Sequence, residues 1–180
     1  FRCWFLCHAA VLFALLVPRW LYAYRDRPNN WHRHLLCAIG VKMKEEFAAL
    51  ADVLEILTQR GESICVAESI TGGGLAQALS SLPGSSQIFR GSVTAYQVEI
   101  KNSVLKVPLE LISEMGTVSE EVAVSMAAGV KELLGSTWSI STTGVAGPGP
   151  VDGVPAGTVW VAIEGPISQT LQLELSGTRE

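Results

Sequence analysis

The 180-residue chain is 48% hydrophobic and 17% charged, which supplies one sizeable core and too little chain for two. Its formal charge of -4 is unevenly divided: residues 1–42 hold six Lys/Arg against one Asp, and residues 43–180 hold seven against sixteen Asp/Glu. An acidic body without a Lys/Arg stripe excludes a general phosphate-backbone binder, so nucleic acid is not an expected partner.

In chain order, Cys3–Val17 is almost wholly apolar (CWFLCHAAVLFALLV) and is followed by a basic, His- and Trp-bearing stretch to His34. At about 15 residues the run falls short of the roughly 20 that a spanning helix needs and matches a signal h-region. The chain begins with Phe, has no clear small-residue cleavage site, and carries Met43 just before an amphipathic helix. These features favour residues 1–42 being upstream sequence outside the native domain over a signal or anchor segment. Membrane contact is expected only if residues 1–17 are a true anchor. His32-x-His34 lacks further ligands, so no metal site is expected. Residues 43–180 contain no histidine, and any hydrolytic base there must be something other than imidazole. Cys65 is the one cysteine of that body; it cannot build a disulfide framework and reads as a buried structural thiol in a reduced, cytoplasmic domain.

Apolar residues at Phe47, Leu50, Leu54 and Leu57 predict a helix from Lys44 to Arg60, ended by Gly61. A strand over Ser63–Ala67, a polar glycine loop and a helix over Gly73–Leu82 follow, then a strand over Phe89–Tyr96. Helical stretches are expected at Val98–Leu105 and Leu109–Met115, divided by Pro108. Thr117 and Ser119 offer caps, and Glu120 and Glu121 acidic first-turn residues, to a helix with Val122, Met126, Val130 and Leu133 on one face. Thr137–Thr143 reads as a strand, Gly144–Ala156 as a loop, and Gly157–Ile163 with Gln169–Leu175 as an antiparallel pair. The alternation predicts an α/β fold, a three-layer α/β/α sandwich on a mixed sheet. A final helix on that sheet is expected and is missing by Glu180.

Four clusters bear chemistry. Glu68-Ser69-Ile70-Thr71-Gly72-Gly73-Gly74 joins a strand to a helix, where backbone N–H groups stabilise phosphates and oxyanions; the alternative is a tight turn with Ser69 or Thr71 capping the helix. It is neither a Walker A loop nor a GxGxxG fingerprint. Pro83-Gly84-Ser85-Ser86 could bring a hydroxyl to a ligand or be an ordinary turn. In Tyr96-x4-Lys101 the lysine can replace histidine as general base if its pKa falls well below the ordinary ~10.4, with Tyr96 orienting it or relaying a proton. The bland alternative is an exposed lysine paired with Glu99 or solvent. Thr142-Thr143-Gly144-Val145-Ala146-Gly147-Pro148-Gly149 offers a second anion- or ribose-reading loop, or a purely structural turn.

Six motifs in order, AESxTGG, PGSSxxF, Y-x4-K, VSEEVA, TGxAGP and GTVWVA, resemble the CinA-type C-terminal domain family from about Met43 to Glu180, leaving out residues 1–42. Its free-standing members are nicotinamide mononucleotide deamidases. The resemblance implies hydrolysis of the carboxamide of nicotinamide mononucleotide to nicotinate mononucleotide and ammonia, a salvage step in pyridine nucleotide recycling, with no metal or organic cofactor. It further implies a Ser/Lys mechanism in which a serine attacks, Lys101 takes its proton and later serves the leaving ammonia, and water clears the acyl-enzyme. The attacking serine is Ser69, or Ser86 if the loop N–H groups hold the substrate phosphate. The expected catalytic set is Ser69, Ser86, Tyr96 and Lys101, with Thr71, Gly72, Gly73, Thr143 and Gly144 binding substrate.

This chain departs from the family pattern at Ile70, where Cys is common, and at Gln97-Val98, where a Ser-Asn pair is common. Beyond a Gly-Asp-Arg-like segment, here Gly177-Thr178-Arg179, the family continues into a helix that can contribute a basic phosphate contact. Two non-enzymatic readings compete: an interaction module of the kind fused to a molybdopterin-binding-like domain in competence/damage-inducible proteins, and a nucleotide or phosphate sensor. Intact Ser69, Ser86, Tyr96 and Lys101 favour the enzyme. Small domains commonly form homodimers, and the sequence leaves the oligomeric state open.

Overall fold

The computed structural model describes residues 45–175, with side chains from Leu50 onward, so the expectations for residues 1–42, for Phe47 and for Gly177-Thr178-Arg179 lie outside the described residues. Helix α1 (Glu45–Arg60) buries Leu50, Val53, Leu54 and Leu57 along one stripe, and Gly61 closes it at φ 65, a left-handed turn that glycine adopts without a Cβ penalty. Strand β1 (Ile64–Glu68) is buried at all five positions, the mark of a central parallel strand covered on both faces. Then come α2 (Gly74–Ser80), a 3₁₀ turn at Ser85–Gln87 and β2 (Phe89–Thr94), which alternates half-buried and exposed residues as an edge strand does. Helices α3 (Val98–Ser103), α4 (Leu109–Met115) and α5 (Glu120–Leu134) precede β3 (Trp138–Gly144), β4 (Thr158–Glu164) and β5 (Gln169–Glu174).

The sheet order is β2-β1-β3-β4-β5; β1 is parallel to β2 and β3, whereas β4 runs antiparallel to both β3 and β5. This is the mixed sheet expected. Alternate residues of β1 feed two cores. Ile64 and Val66 pack with α1 and α2, while Cys65 and Ala67 pack with Val122, Met126 and Val130 of α5. Helices therefore cover both faces. The Cys65 thiol is fully buried, lies 2.8 Å from Ser136 Oγ, and has its pKa pushed up by burial, which fits a structural role.

Helix α5 is capped as its sequence predicts: the Val122 N–H donates to Ser119 Oγ at 3.3 Å, and Glu120 and Glu121 sit in the positive first turn. Leu133, expected on the buried face, is 51% exposed. The i+4 row of Val122, Met126 and Val130 continues through Leu134, which packs on the core, and leaves Leu133 outside it. Hydroxyls of β3 draw the helix onto the sheet, with Ser139 Oγ donating to Ala127 O at 2.7 Å and Ser141 Oγ to Ala123 O at 2.5 Å.

The parallel arrangement fixes where chemistry can occur. Glu68 is in register with Thr94 on β2 and with Thr142 on β3, so three strands end together at one sheet edge. Crevices of open α/β sheets form at that edge.

A Cβ on Gly129 of α5 would overlap the backbone carbonyl of Leu105. Gly129→Ala should therefore lower the melting temperature by several degrees, although alanine is the better helix former by about 1 kcal/mol. Thermal unfolding followed by circular dichroism reads the sign directly; a raised melting point would contradict the close approach.

Candidate active site

Ser69 is the first residue beyond β1, and its N–H donates to Thr142 O at 2.9 Å, which ties it to the end of β3. Lys101 lies on α3, the short helix that follows β2 and folds back beneath the same edge. It is only 2% exposed. Its Nζ is 3.0 Å from Ser69 Oγ, 2.7 Å from Ala95 O and 3.3 Å from Tyr96 O. Glu99 is exposed, and no salt bridge to Lys101 occurs among the described residues. The surface-lysine alternative does not hold.

Burial holds the Lys101 ammonium below its ordinary pKa of 10.5, because removal from water penalises the charged form. The neighbours then define a direction. A neutral amine has two N–H donors and one lone pair; two backbone carbonyls can take the donors, leaving the lone pair for the Ser69 hydroxyl. Such an arrangement can withdraw a proton from Ser69.

The glycine loop is built differently from the expectation. Glu68, fully buried, accepts from three backbone N–H groups: Gly73 at 3.1 Å and Leu75 at 2.9 Å through Oε2, and Ala76 at 2.8 Å through Oε1. The Gly72 N–H donates to Ser69 O at 3.3 Å and the Gly74 N–H to Thr71 O at 2.9 Å. The N–H groups of Gly72 and Gly73 are thus spent inside the loop and do not form an open anion cradle. Neither Ser69 nor Thr71 caps α2; Gly73, at φ 103, occupies the N-cap without a side-chain bond. Thr71 instead sets its hydroxyl 2.8 Å from that of Thr142. Among the described residues the N–H groups of Ile70 and Thr71 have no acceptor.

Sequence reasoning overlooked Glu68. The available signal was a carboxylate immediately before a glycine turn and a helix start that lacks a capping side chain in the usual place.

The remaining expected residues separate. Ser86 is exposed on the 3₁₀ turn before β2, at the opposite end of the parallel strands from Lys101, roughly 20 Å away by the rise of the intervening strand. The structure does not bring Ser86 to Lys101. Tyr96 is 61% exposed and meets Lys101 through its carbonyl, not its phenol. Thr143 is buried, and its hydroxyl donates to Thr117 O at 2.8 Å, bracing β3 against the segment before α5. Gly144 leaves room for Ile70: a Cβ there would lie 2.7 Å from both Ile70 Cδ1 and Thr158 O. Among the described residues no cluster of His, Cys, Asp and Glu could hold a metal ion, and no helix is long and apolar enough to cross a membrane.

Comparisons with known proteins agree with this architecture. The family model described as CinA C-terminal domain matches residues 47–180. The chain is 44% identical over 128 residues to a CinA-like protein of Parasynechococcus marenigrum, covering 71% of this chain and 30% of that protein. It is 48% identical over 120 residues to a CinA-like protein of a Synechococcus species, covering 66% of this chain and 28% of that protein. The chain therefore spans about 30% of the length of the curated relatives it matches. The crystal structure of competence damage-inducible protein A from Klebsiella pneumoniae superposes with a TM-score of 0.71 at 34% identity, over 74% of this chain and 84% of that one. With the family model matched over residues 47–180 and relatives and a solved structure of that family sharing the sequence and the fold, the chain belongs to the CinA C-terminal domain family.

Proposed function

We propose that the domain is an amidohydrolase that converts nicotinamide mononucleotide to nicotinate mononucleotide and ammonia, with Ser69 as nucleophile and Lys101 as general base. The observation that carries the mechanism is the 3.0 Å contact between Lys101 Nζ and Ser69 Oγ in a site where burial favours the neutral amine. Family membership supports the substrate.

The steps follow from the residues. Neutral Lys101 removes the Ser69 hydroxyl proton as Oγ attacks the carboxamide carbon, and the carbonyl π-electrons move onto oxygen. The Ile70 N–H, on the residue after the nucleophile, and the Thr71 N–H are unengaged donors suited to that oxyanion. Protonated Lys101 gives its proton to the departing nitrogen, which leaves as ammonia. Water, deprotonated by the same amine, then attacks the acyl-serine; the acid departs and Ser69 regains its proton. The scheme needs no metal or organic cofactor. Ser69 is preferred to Ser86 because Ser86 has no base near it among the described residues.

Incubating the chain with nicotinamide mononucleotide should release ammonia in step with nicotinate mononucleotide. Ser69→Ala should reduce kcat by roughly a thousandfold or more, whereas Ser86→Ala should stay within a few-fold of wild type. The reverse pattern would move the nucleophile to Ser86. Nucleotide binding without ammonia release would make the domain a sensor.

Lys101→Arg should be as inactive as Lys101→Ala, since a guanidinium keeps its charge and cannot accept the serine proton. Activity close to wild type in either would remove Lys101 as the base.

The pH dependence has a definite sign. The active form is the neutral amine, so kcat/KM should rise with pH, and burial places the midpoint of that limb below 10.5. A limb absent from the accessible range, or centred at or above 10.5, would contradict a buried lysine base.

A further inference from the structure

We infer that Glu68 is a positioning residue for the reacting pair: its carboxylate sets Ser69, and its backbone carbonyl sets the acceptor that aims Lys101. The inference rests on the reading of Ser69 and Lys101 as that pair. Glu68 is fully buried beside Ser69 in sequence, and its two carboxylate oxygens gather the N–H groups of Gly73, Leu75 and Ala76. Between these anchors the chain must reverse over Ser69–Gly73, and it does so with Gly72 at φ 59 and Gly73 at φ 103. The Glu68 carbonyl accepts the Ala95 N–H at 2.7 Å, and the Ala95 carbonyl in turn accepts from Lys101 Nζ at 2.7 Å. One residue thereby fixes both sides of a 3.0 Å contact.

Besides Glu68, the loop is held to β3 by the Ser69 N–H on Thr142 O and the Thr71–Thr142 hydroxyl contact, and by two backbone bonds within the turn; none of these holds the start of α2 to the sheet. Helix α2 has seven residues and no side-chain cap, too short to keep its own first turn without outside support. Loss of the carboxylate would strand three buried or half-buried N–H groups, and the loop would relax to recover partners. Ser69 sits at its start. A displacement of about 1 Å between nucleophile and base is enough to cost on the order of a hundredfold in rate.

The alternative is a carboxylate that only stabilises the fold, and two readouts separate the two. One is kcat and KM on nicotinamide mononucleotide. The other is the rate at which a simple alkyl fluorophosphonate labels Ser69, mapped by mass spectrometry of the 180-residue chain. In the labelling step Ser69 Oγ bonds phosphorus, fluoride leaves, and the serine proton passes through Lys101 to solvent. The control is Glu62→Ala, which removes the acceptor of the Trp138 indole N–H (2.7 Å) near the opposite end of β1.

Glu68→Gln keeps one acceptor oxygen and should lower both kcat and labelling rate by about tenfold or more, with KM little changed. Glu68→Ala should lower them further. Glu62→Ala should lose melting temperature yet label within about twofold of wild type. A folded Glu68→Gln variant that labels at the wild-type rate overturns the inference, and so does a Glu62→Ala variant that loses as much as Glu68→Gln. If Glu68→Ala fails to fold, Glu68→Gln decides. Lys101-dependent labelling of Ser69 without ammonia release defeats the substrate assignment alone, and the Glu68 comparison is still read from labelling. No labelling of wild-type Ser69 and no turnover defeats the reacting pair and this inference with it.

Discussion

An amine enclosed at the end of a parallel sheet, with three oxygen neighbours and, among the described residues, no carboxylate partner, is the constraint that organises this domain. Lys101 is 2% exposed, and a lysine in that position costs stability as long as it carries charge. Most buried lysines are compensated by an ion pair. Here the contacts are two backbone carbonyls and a serine hydroxyl, which satisfy an amine at least as well as an ammonium. Burial shifts that balance toward the uncharged form, holding the amine below its ordinary pKa. A body with no histidine thus gains a group able to accept a proton at pH values below the ordinary lysine range.

The rest of the architecture keeps that enclosure closed. Helix α5 lies tightly on the sheet because Ser139 and Ser141 of β3 donate to mid-helix carbonyls and because Ala123 and Ala127 present no bulk. Gly129 lets the same helix approach Leu105, in the turn that follows α3. That turn is linked to the lysine directly: the Val107 N–H donates to Lys101 O at 3.1 Å. The packing of α5 and the placement of α3 are therefore coupled, and bulk added at Gly129 would press on the segment that carries Lys101.

Much of this was legible in the sequence, for physical reasons that also explain what was not. Element types and order follow from periodicity: the stripe of α1, the continuous apolar run of β1 and the capped α5 all carry strong local signals. The placement of Lys101 near Ser69 was deducible because two parallel strands must end at one edge. Ser86 was misleading because a motif fixes order along the chain but not which end of a strand it occupies. It precedes β2, whereas Lys101 follows it. Glu68 left only a weak trace, a carboxylate before a glycine turn and an uncapped helix start, because its partners are backbone N–H groups, which every residue but proline possesses. Leu133 was misplaced by one position on a helix where the i+4 row passes through Leu134.

The engagement of the loop N–H groups, Gly73 with the Glu68 carboxylate and Gly72 with Ser69 O, also bears on how the site divides its labour. Had Gly72 and Gly73 remained free donors, the turn could have held a phosphate and left the attack to a distant serine. With those donors committed, two unengaged N–H groups remain at the turn, on Ile70 and Thr71, immediately after Ser69. A tetrahedral oxyanion forms within bonding distance of the nucleophile's own carbon partner, whereas the phosphate of a mononucleotide lies a ribose away from the reacting carboxamide. Donors adjacent to Ser69 in the chain are therefore matched in reach to the oxyanion and not to the phosphate. The same commitment removes Gly72 and Gly73 as anion donors, so under the proposed reading a mononucleotide's phosphate is held by other residues, while the turn presents Ser69 to Lys101 and keeps the Ile70 and Thr71 N–H groups for the oxyanion.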